Sequence, residues 1–167
     1  MAIPKIIKNF NLLVDGQGFA GLCDEVTLPD LAINAIEHRA GGMDAPVSLD
    51  MGMELMELSF MLAEHSPVVF RQFGLINQNA VQCTFRAAQA NDTEVVPYVI
   101  HTRGMYVNNN LGTIQNTDKA PLEATMHLRY FRMILDGEDL IEIDVDNMIR
   151  VVNGVDQLEA QRAALNI

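Results

Sequence analysis

The sequence has only two cysteines, no long uncharged apolar run and half as many basic as acidic residues, and each shortage excludes a class of protein. Cys23 and Cys83 lie in no metal-binding or redox motif, so both thiols are expected to be reduced. Uncharged apolar runs are far shorter than the roughly 20 residues that a transmembrane helix requires. The N-terminal apolar run is short and lacks a small-residue cleavage site, which argues against a signal peptide. We therefore expect a protein made in the cytoplasm, without a membrane anchor.

The shortage of basic residues limits the partners of the protein. Eleven lysine and arginine residues stand against 22 aspartate and glutamate residues, which gives a formal net charge of −11. Such a field repels nucleic-acid phosphates and offers few sites that release their counterions. A protein that reads or wraps DNA is therefore not expected. The same field is compatible with DNA that passes by without sticking.

Hydrophobic residues, in contrast, are abundant and make up 49% of the 167 residues. A chain of this length and composition suits one domain with a substantial core. No internal repeat, low-complexity run or linker divides the chain. Residues 1–167 are therefore predicted to form a single domain.

The apolar residues alternate in a way that is typical of β-strands. Two apolar runs joined by a glycine-rich turn at Asp15-Gly16 predict an N-terminal hairpin. The segment 54–62 also fits helical spacing, but the alternation of its apolar residues favours a strand. Further strands are predicted at 31–38, 80–90, 94–106, 122–135 and 139–145, with turns at Asp136-Gly137 and 152–155 and an Asn-rich loop over 106–121.

Two short helices are predicted beside the strands. Ser66-Pro67 supplies a capping serine and a proline at the first helical position, and Gly74 lies just beyond the end of that helix. A C-terminal helix is predicted with Asp156 as its N-cap and Glu159 at the capping-box position. Mostly antiparallel strands with two short helices predict a mainly β fold, either a sandwich or a barrel.

Motifs with known chemistry fit structural explanations better. Gly16, Gly18 and Gly21 match a dinucleotide-binding pattern, but β-formers and an early proline follow where a helix is required. The run of six acidic residues from Asp136 to Asp146 lacks the glycine of a calcium loop. The four histidines have no paired ligand spacing, and no serine or cysteine lies in a recognised catalytic motif. We predict no cofactor, no metal site and no enzyme.

The acidic run is better explained by a half-buried strand. Its isoleucines and Val145 point to one face of that strand, and alternate acidic residues point to the other. The residues of the acidic face are Glu142, Asp144 and Asp146.

The segment HRAGGMDAPVSLDMGMEL, residues 38–55, is too apolar for a solvated loop and too broken for a helix or a strand. The methionines in and just after it are Met43, Met51, Met53, Met56 and Met61. Methionine adapts to irregular gaps, so these residues could fill a core. An apolar segment outside regular structure is also costly to leave in water, which favours a contact surface for another protein. The residues alone leave these two interpretations level.

Several segments resemble the major tail tube protein of contractile-tailed phages and the tube protein of R-type pyocins. They are TLPDL (27–31), RAGGMDAPVSLDMGME (39–54), YFRMILDGEDLIEIDVDNMIRVVNGVDQLE (130–159) and the arginine-containing C-terminal tail. The resemblance extends from near the N-terminus to the C-terminus and is least distinctive over about 64–120.

The resemblance implies a β-sandwich with a flanking helix, six copies of which form a ring through inward sheets that join into one β-barrel. The rings would stack into a tube inside a contractile sheath, starting on a baseplate, with a tape-measure protein in the lumen. In a phage, DNA passes along that lumen without specific binding. The implied protein is a non-enzymatic part of the virion tail, made in the host bacterial cytoplasm.

The resemblance also implies an extended arm at about 39–53 that reaches neighbouring subunits and the adjacent ring. The contact residues that it implies are Arg39, Gly41, Gly42, Met43, Asp44, Ala45, Pro46 and Val47. In such a tube, the acidic face at 142–146 could line the lumen or meet the outside, and the sequence leaves this open.

Two alternative functions also remain open at this point. The first is the tube of a pyocin-like contractile killing particle. The second is a monomeric β-sandwich that binds a small apolar ligand, with the methionine-rich stretch as a wall of its pocket.

Overall fold

The computed structural model describes residues 4–75 and 81–167, and within these residues the chain is mainly β. The strands are β1 Ile6–Val14, β2 Gln17–Gly18, β3 Cys23–Thr27, β4 Ile33–His38, β5 Val47–Met53, β6 Met56–Leu62, β7 Val81–Ala90, β8 Val95–Asn110, β9 Leu122–Leu135, β10 Glu138–Asp144, β11 Ile149–Val152 and β12 Val155–Asp156. The helices are α1 Pro67–Gln72 and α2 Glu159–Leu165. Neither of these helices is long and apolar enough to cross a membrane. The predicted mainly β, antiparallel class with two short helices is confirmed.

Within the described residues, ten strands form one antiparallel sheet, whose longest path runs β12-β11-β10-β9-β8-β7-β1-β2. Strand β9 connects the two halves of this sheet, because two different strands share one of its edges. Its residues 122–128 pair with β6, and its residues 130–135 pair with β10. β8 pairs along the other edge of β9, and β3 continues the sheet beyond β6.

The core lies where the two halves of this sheet face each other. β6, β7 and the first half of β9 alternate between buried and more exposed residues, as half-buried strands do. The Sγ atom of Cys83 on β7 lies 3.4 Å from the Sδ atom of Met126 on β9, which places these strands against each other across the core. Val69 of α1 is buried in the same core. The strand predicted at 54–62 is thereby confirmed as a core strand.

Strands β8 and β9 bend together at Gly104. Their pairing shifts register between Arg103 and Gly104, which leaves Arg129 as the extra residue of a β-bulge. A Cβ atom added at Gly104 would collide with the carbonyl oxygen of His127 and lie 2.9 Å from its carbonyl carbon. Glycine is required here because the backbone of β8 passes too close to β9 for any side chain.

Three tight turns lie where the sequence predicts turns. Asp15-Gly16, Asp136-Gly137 and Asn153-Gly154 each have two consecutive left-handed residues, with φ between 49° and 80°. Each pair directly joins two antiparallel strands, which is the geometry of two-residue hairpin turns. Local turn chemistry therefore sets the register of three hairpins.

The helix starts differ from the predicted capping. Ser66 lies at the N-cap of α1, but its side chain makes no capping hydrogen bond. Helix α2 begins at Glu159, and Asp156 ends β12 instead of capping the helix. The Asp156 carboxylate accepts a hydrogen bond from the Leu158 amide and pairs with Arg162 at 2.6 Å. Asp156 thereby connects α2 to the end of the sheet. Its partner, Arg162, lies within the helix, and capping rules do not take such a partner into account.

Strand β8 is longer than the sequence predicts. It continues to Asn110, into the segment where an Asn-rich loop is expected. Pairing of residues 108–110 with β9 overrides the low strand propensity of asparagine. The predicted start of β7 at residue 80 lies outside the described residues.

We expect Gly104→Ala to lower the free energy of unfolding by about 1–3 kcal/mol, because the added methyl group forces the β8 and β9 backbones apart. Chemical denaturation followed by circular dichroism measures this loss. Gly41→Ala is the matched control, since a Cβ there meets nothing within 4 Å and its φ is not left-handed. Equal stability of the two variants would contradict the close approach at Gly104.

Candidate assembly interface

Residues 33–53 form a hairpin outside the main sheet, and this hairpin contains the segment 39–53 that is expected to form an arm. From here on, the arm means the whole hairpin, residues 33–53. Strands β4 and β5 pair with each other in a separate two-stranded sheet. All of β4 and the first five residues of β5 are exposed. An isolated two-stranded hairpin is marginally stable at best in water. The arm is therefore a structure suited to gaining stability from a partner.

The second strand of the arm corrects one expectation. Residues 47–53 form a strand, although the segment 38–55 is expected to be too broken for one. The breaks lie in the connection 39–46, at residues 54–55 and at Gly52, whose φ is +104° beside a shift in register. The Oδ1 atom of Asp50 accepts the Gly52 amide at 2.7 Å and stabilises this irregularity. Pairing with β4 thus tolerates a glycine that the sequence pattern treats as a break.

The arm has one mainly apolar face and one mainly polar face. By register and alternation, the first face carries Ile36, His38, Val47 and Leu49, and the second carries Ala35, Glu37, Ser48 and Asp50. Ile36 is 47% exposed and Leu49 is 43% exposed, so the rest of the described chain leaves both largely uncovered. Apolar area left in water costs about 25 cal/mol per Å², which favours covering this face with another molecule.

The eight residues expected to make contacts lie together at the end of the arm, which we call the tip. They are Arg39, Gly41, Gly42, Met43, Asp44, Ala45, Pro46 and Val47. The Met43 amide donates to the Ala40 carbonyl at 3.2 Å, so the tip holds its own turn. Gly42 has a φ of +88°, whereas Gly41 is not left-handed. All of the eight except the half-buried Met43 are exposed, and their role in contacts stays a prediction.

Arg150 joins the base of the arm to the main sheet. Its Nη2 atom on β11 lies 2.6 Å from Oδ2 of Asp50, and its side chain is 13% exposed. The Arg150 hydrogen bond, with help from the Gly52 amide, lowers the pKa of the Asp50 carboxyl group. The Glu54 amide donates to the Ala32 carbonyl and closes the hairpin at the same end. Sequence reasoning missed Arg150 because its partner is 100 residues away.

A cleft of about 810 Å³ lies between the base of the arm and the turn after β10. Its apolar lining includes Met51, Met53, Met56, Met148, Ile149 and Leu158. Met56 is buried in the core, whereas Met51 is 58% exposed. The sequence did not decide whether the methionine-rich stretch fills the core or lies at the surface. In the structure it does both, since Met56 fills the core and Met51 is exposed.

The candidate acids, Glu142, Asp144 and Asp146, do not form a free acidic face. Glu142 accepts a hydrogen bond from the Tyr130 hydroxyl at 2.8 Å, and an oxygen of Asp144 lies 3.7 Å from Arg103. The Arg103 guanidinium carbon also lies 4.3 Å from the centre of the Tyr130 ring, which is a cation–π contact. Burial and the Glu142 carboxylate raise the pKa of Tyr130. The acids are part of a mixed network across three strands.

The predicted alternation fails at Val145. Strand β10 ends at Asp144, and Val145 is 55% exposed instead of lying on the core side. The chain turns here because the amide and the side chain of Asn147 both donate to the Asp144 carboxylate. Within the turn, Asp146 pairs with Arg129 of the β-bulge at 2.7 Å. Whether these acids face the inside or the outside of an assembly stays a prediction.

A further ion pair lies on the side of the sheet that carries Tyr130 and Glu142. This side points away from the core of the protomer, and we call it the outward face. Arg132 of β9 donates two hydrogen bonds to Asp139 of β10, at 2.6 and 2.7 Å. This bidentate contact lowers the pKa of Asp139. Sequence reasoning did not identify the arginines as partners of the acids, because no acid lies on the same strand as its arginine. The outward face therefore carries both signs of charge.

Across residues 4–75 and 81–167, no group of three or more His, Cys, Asp or Glu side chains is placed to hold a metal ion. The prominent features are an apolar arm, an apolar cleft beside its base and a sheet face of paired charges.

The model of the family described as phage tail tube protein FII matches residues 4–165. This chain belongs to that family. The resemblance to phage tail tube proteins is thereby confirmed, and the chain is a structural tail protein and not an enzyme.

Two relatives of this chain are phage tail tube proteins. The tail tube protein of Escherichia phage P2 is 30% identical over 172 residues, which cover 100% of both chains. The major tail tube protein of Serratia phage KSP20 is 24% identical over 151 residues, which cover 89% of this chain and 88% of the relative. The similarity to the P2 protein spans the arm, the sheet and the C-terminal helix.

The fold is similar to chains of contractile particles solved by cryo-electron microscopy. A chain of the PVC sheath-tube complex, an extracellular contractile injection system, has a TM-score of 0.60 at 15% identity, with 81% of this chain and 93% of that chain covered. A chain of the tube terminating cap of the anti-feeding prophage has a TM-score of 0.63 at 11% identity, with 80% and 94% covered. A chain of the anti-feeding prophage baseplate has a TM-score of 0.58 at 14% identity, with 80% and 97% covered. At such low identities, these similarities show the fold alone.

We expect the ion pairs of Asp50, Asp139 and Asp156 with arginines to make the fold sensitive to acid. Each pair lowers the pKa of its carboxyl group from the ordinary value of 3.8. Because the folded-state pKa is depressed, the stabilisation is fully present above that value and is lost as the pH falls through the folded-state pKa. The difference in unfolding free energy between the wild type and Asp139→Asn should be largest at neutral pH and shrink below about pH 4.

Denaturation at a series of pH values measures this difference. Asp92→Asn is the control, because it removes the same charge from an acid to which the described residues give no ion pair. A pH-independent difference for Asp139→Asn would contradict the assignment.

Proposed function

We propose that this chain is the protomer of the inner tube of a contractile tail, in which six copies form each ring and the rings stack within a sheath. The observation that carries the proposal is the arm, which holds an uncovered apolar face outside the folded body of a tail tube protein. The similarity in fold to chains of a sheath-tube complex and of a baseplate supports a sheath around the tube and a baseplate at its start. The protomer is made in the bacterial host and becomes part of the virion tail.

The edge of the main sheet supports ring formation. β1 pairs with β7 along its length, but on its outer edge it pairs with β2 only at Leu13 and Val14, as far as the described residues extend. Ile6 is 60% exposed and Ile7 is 48% exposed along this edge. An open edge with apolar side chains is a template for pairing with another chain. Joining such edges in a closed ring removes them from solvent.

The arm supports stacking of the rings. A contact between unlike surfaces of identical copies closes into a ring or continues without limit. The edge of β1 suits the closing contact, and the tip of the arm suits the contact with neighbouring copies. We assign the contact with adjacent subunits to Arg39, Gly41, Gly42, Met43, Asp44, Ala45, Pro46 and Val47.

The charge of the protein supports a conduit for DNA. The net charge of −11 leaves few free cations at which duplex DNA could stall. Three arginines of the outward sheet face are held in ion pairs by Asp144, Asp146 and Asp139, which limits their use for phosphates. A tape-measure protein occupies the lumen before the DNA enters it.

The cleft supports a second candidate function, a monomeric sandwich that binds a small apolar ligand. Met51, Met53 and Met56 form part of its wall, as that alternative requires. Hydrogen exchange separates the two functions. Protection of residues 39–52 should appear only on assembly if the protein is a tube protomer, and without assembly if it is a monomeric binding module.

We expect purified protein to form stacked rings or tubes, and Leu49→Glu to reduce them by more than about tenfold. A charge on the apolar face of the arm has to be desolvated in the contact, and about 1.4 kcal/mol per copy is enough for this reduction. Negative-stain electron microscopy and sedimentation measure tube yield. Ser48→Glu, which places the same charge on the opposite face, is the matched control. Wild-type protein that stays monomeric with baseplate components present would contradict the proposed function.

Gly41→Val should leave the protomer folded but block stacking. Around Gly41 a Cβ meets nothing within 4 Å in the protomer, so an effect that appears only on assembly reports a neighbour close to this backbone. Gly42→Val is expected to disturb the tip itself, since its φ of +88° suits glycine. Thermal unfolding and tube yield are measured together. Normal tubes from Gly41→Val would place the contact elsewhere.

A further inference from the structure

The cleft and the tip complement each other, and we propose that the tip of one copy binds in the cleft of another copy. Ala45, Pro46 and Val47 would enter the cleft against its methionine lining. This inference rests on the proposed function, because it names the receiving surface for the arm within the tube.

The cleft has the properties of a receptor for a small apolar segment. Its volume of about 810 Å³ lies in the range of sites that enclose ligands. Met51, Met53 and Met148 supply flexible side chains that adapt to the shape of an occupant. The lining also contains Ile149 and Leu158, so its inner surface is mainly apolar.

The tip has the properties of the occupant. Ala45 and Pro46 are exposed, and Val47 is 45% exposed at the start of β5. Proline restricts the backbone of this segment before binding, which lowers the entropy lost when the segment is ordered. The hydrogen bond between the Met43 amide and the Ala40 carbonyl gives the tip a defined turn at the end of the hairpin.

The tip of a copy cannot enter the cleft of the same copy. Residues 50–53 at the far end of β5 are part of the cleft wall, whereas Val47 begins the strand at the tip. Val47 lies three residues from Asp50, the nearest wall residue on this strand, which is a separation of about 10 Å at roughly 3.3 Å per residue. Pairing with β4 keeps this strand extended. The occupant must therefore come from a second copy, and each copy offers one tip and one cleft.

One charge at the tip has an opposite charge available at the cleft. Arg39 at the tip contacts only the Met43 carbonyl among the described residues, at 3.4 Å. Glu54 lines the cleft, is exposed and has no ion pair within the described part of the chain. Pairing of Arg39 with Glu54 of the receiving copy would orient the tip in the cleft.

A disulfide trap tests the contact directly. Ala45→Cys and Gln161→Cys are made in separate proteins, both with Cys23→Ser, and the two are mixed, assembled and oxidised. Gln161 lines the cleft from α2. Ala163→Cys replaces Gln161→Cys in the control, because a helix advances 3.6 residues per turn and position 163 lies on nearly the opposite side. The native Cys83 is retained, since it is 1% exposed.

The expected result is a disulfide-linked dimer of the Ala45→Cys and Gln161→Cys proteins, identified by peptide mass spectrometry, at about tenfold the yield of the Ala163→Cys control. The trap is read on particles that electron microscopy has identified as tubes. Tubes with equal or no linkage in both mixtures would overturn this inference and leave the proposed function standing. Wild-type protein that forms no tubes would overturn both.

A charge exchange provides the second test and does not depend on disulfide geometry. Arg39→Glu and Glu54→Arg should each reduce tube yield by about tenfold, because each places like charges together. The double variant, with both changes in one chain, should recover to within about twofold of the wild type. Folding is checked by circular dichroism in each variant. A double variant that is as defective as either single one would overturn the pairing of tip and cleft.

Discussion

The main sheet depends on the close passage of β8 over β9 at Gly104. At this point the β-bulge at Arg129 bends β9, so that its first half pairs with β6 and its second half pairs with β10. The bend brings the two halves of one sheet face to face, and the core forms between them. Only glycine fits at the crossing, because the His127 backbone occupies the place of a Cβ atom.

The arm leaves an apolar face outside the folded body of the protein. A two-stranded hairpin with an uncovered apolar face adds little stability to a monomer, because water surrounds both of its faces. The fold nevertheless holds the base of the arm firmly, through the Arg150–Asp50 ion pair. Because the base of the arm is fixed and its tip is uncovered, the arm suits a contact with another molecule at a defined orientation to the protomer. The methionines at the base extend the core to the cleft, so the arm and the cleft belong to one continuous apolar region.

On the outward sheet face, most charged side chains lie next to a side chain of opposite charge. Arg132 with Asp139, Arg129 with Asp146, and Tyr130 with Glu142 bring each acid to a partner on a neighbouring strand or at the bulge. Such exposed pairs contribute little stability individually. Their effect is to remove free cations from the surface while the chain as a whole stays acidic.

The sequence by itself determined the mainly β class, most of the strands, three hairpin turns, helix α1 and the family. Those features depend on alternation, on Asp-Gly and Asn-Gly pairs and on motif order, all of which are local in the chain. Only the tertiary structure decided that residues 47–53 pair as a strand, that β8 continues through the asparagines and that Asp156 binds Arg162 instead of capping a helix. It also decided the burial of Asp144, the Arg150–Asp50 pair and the cleft. Each of these depends on residues brought together by pairing and packing, so no local pattern records which partner a side chain will meet.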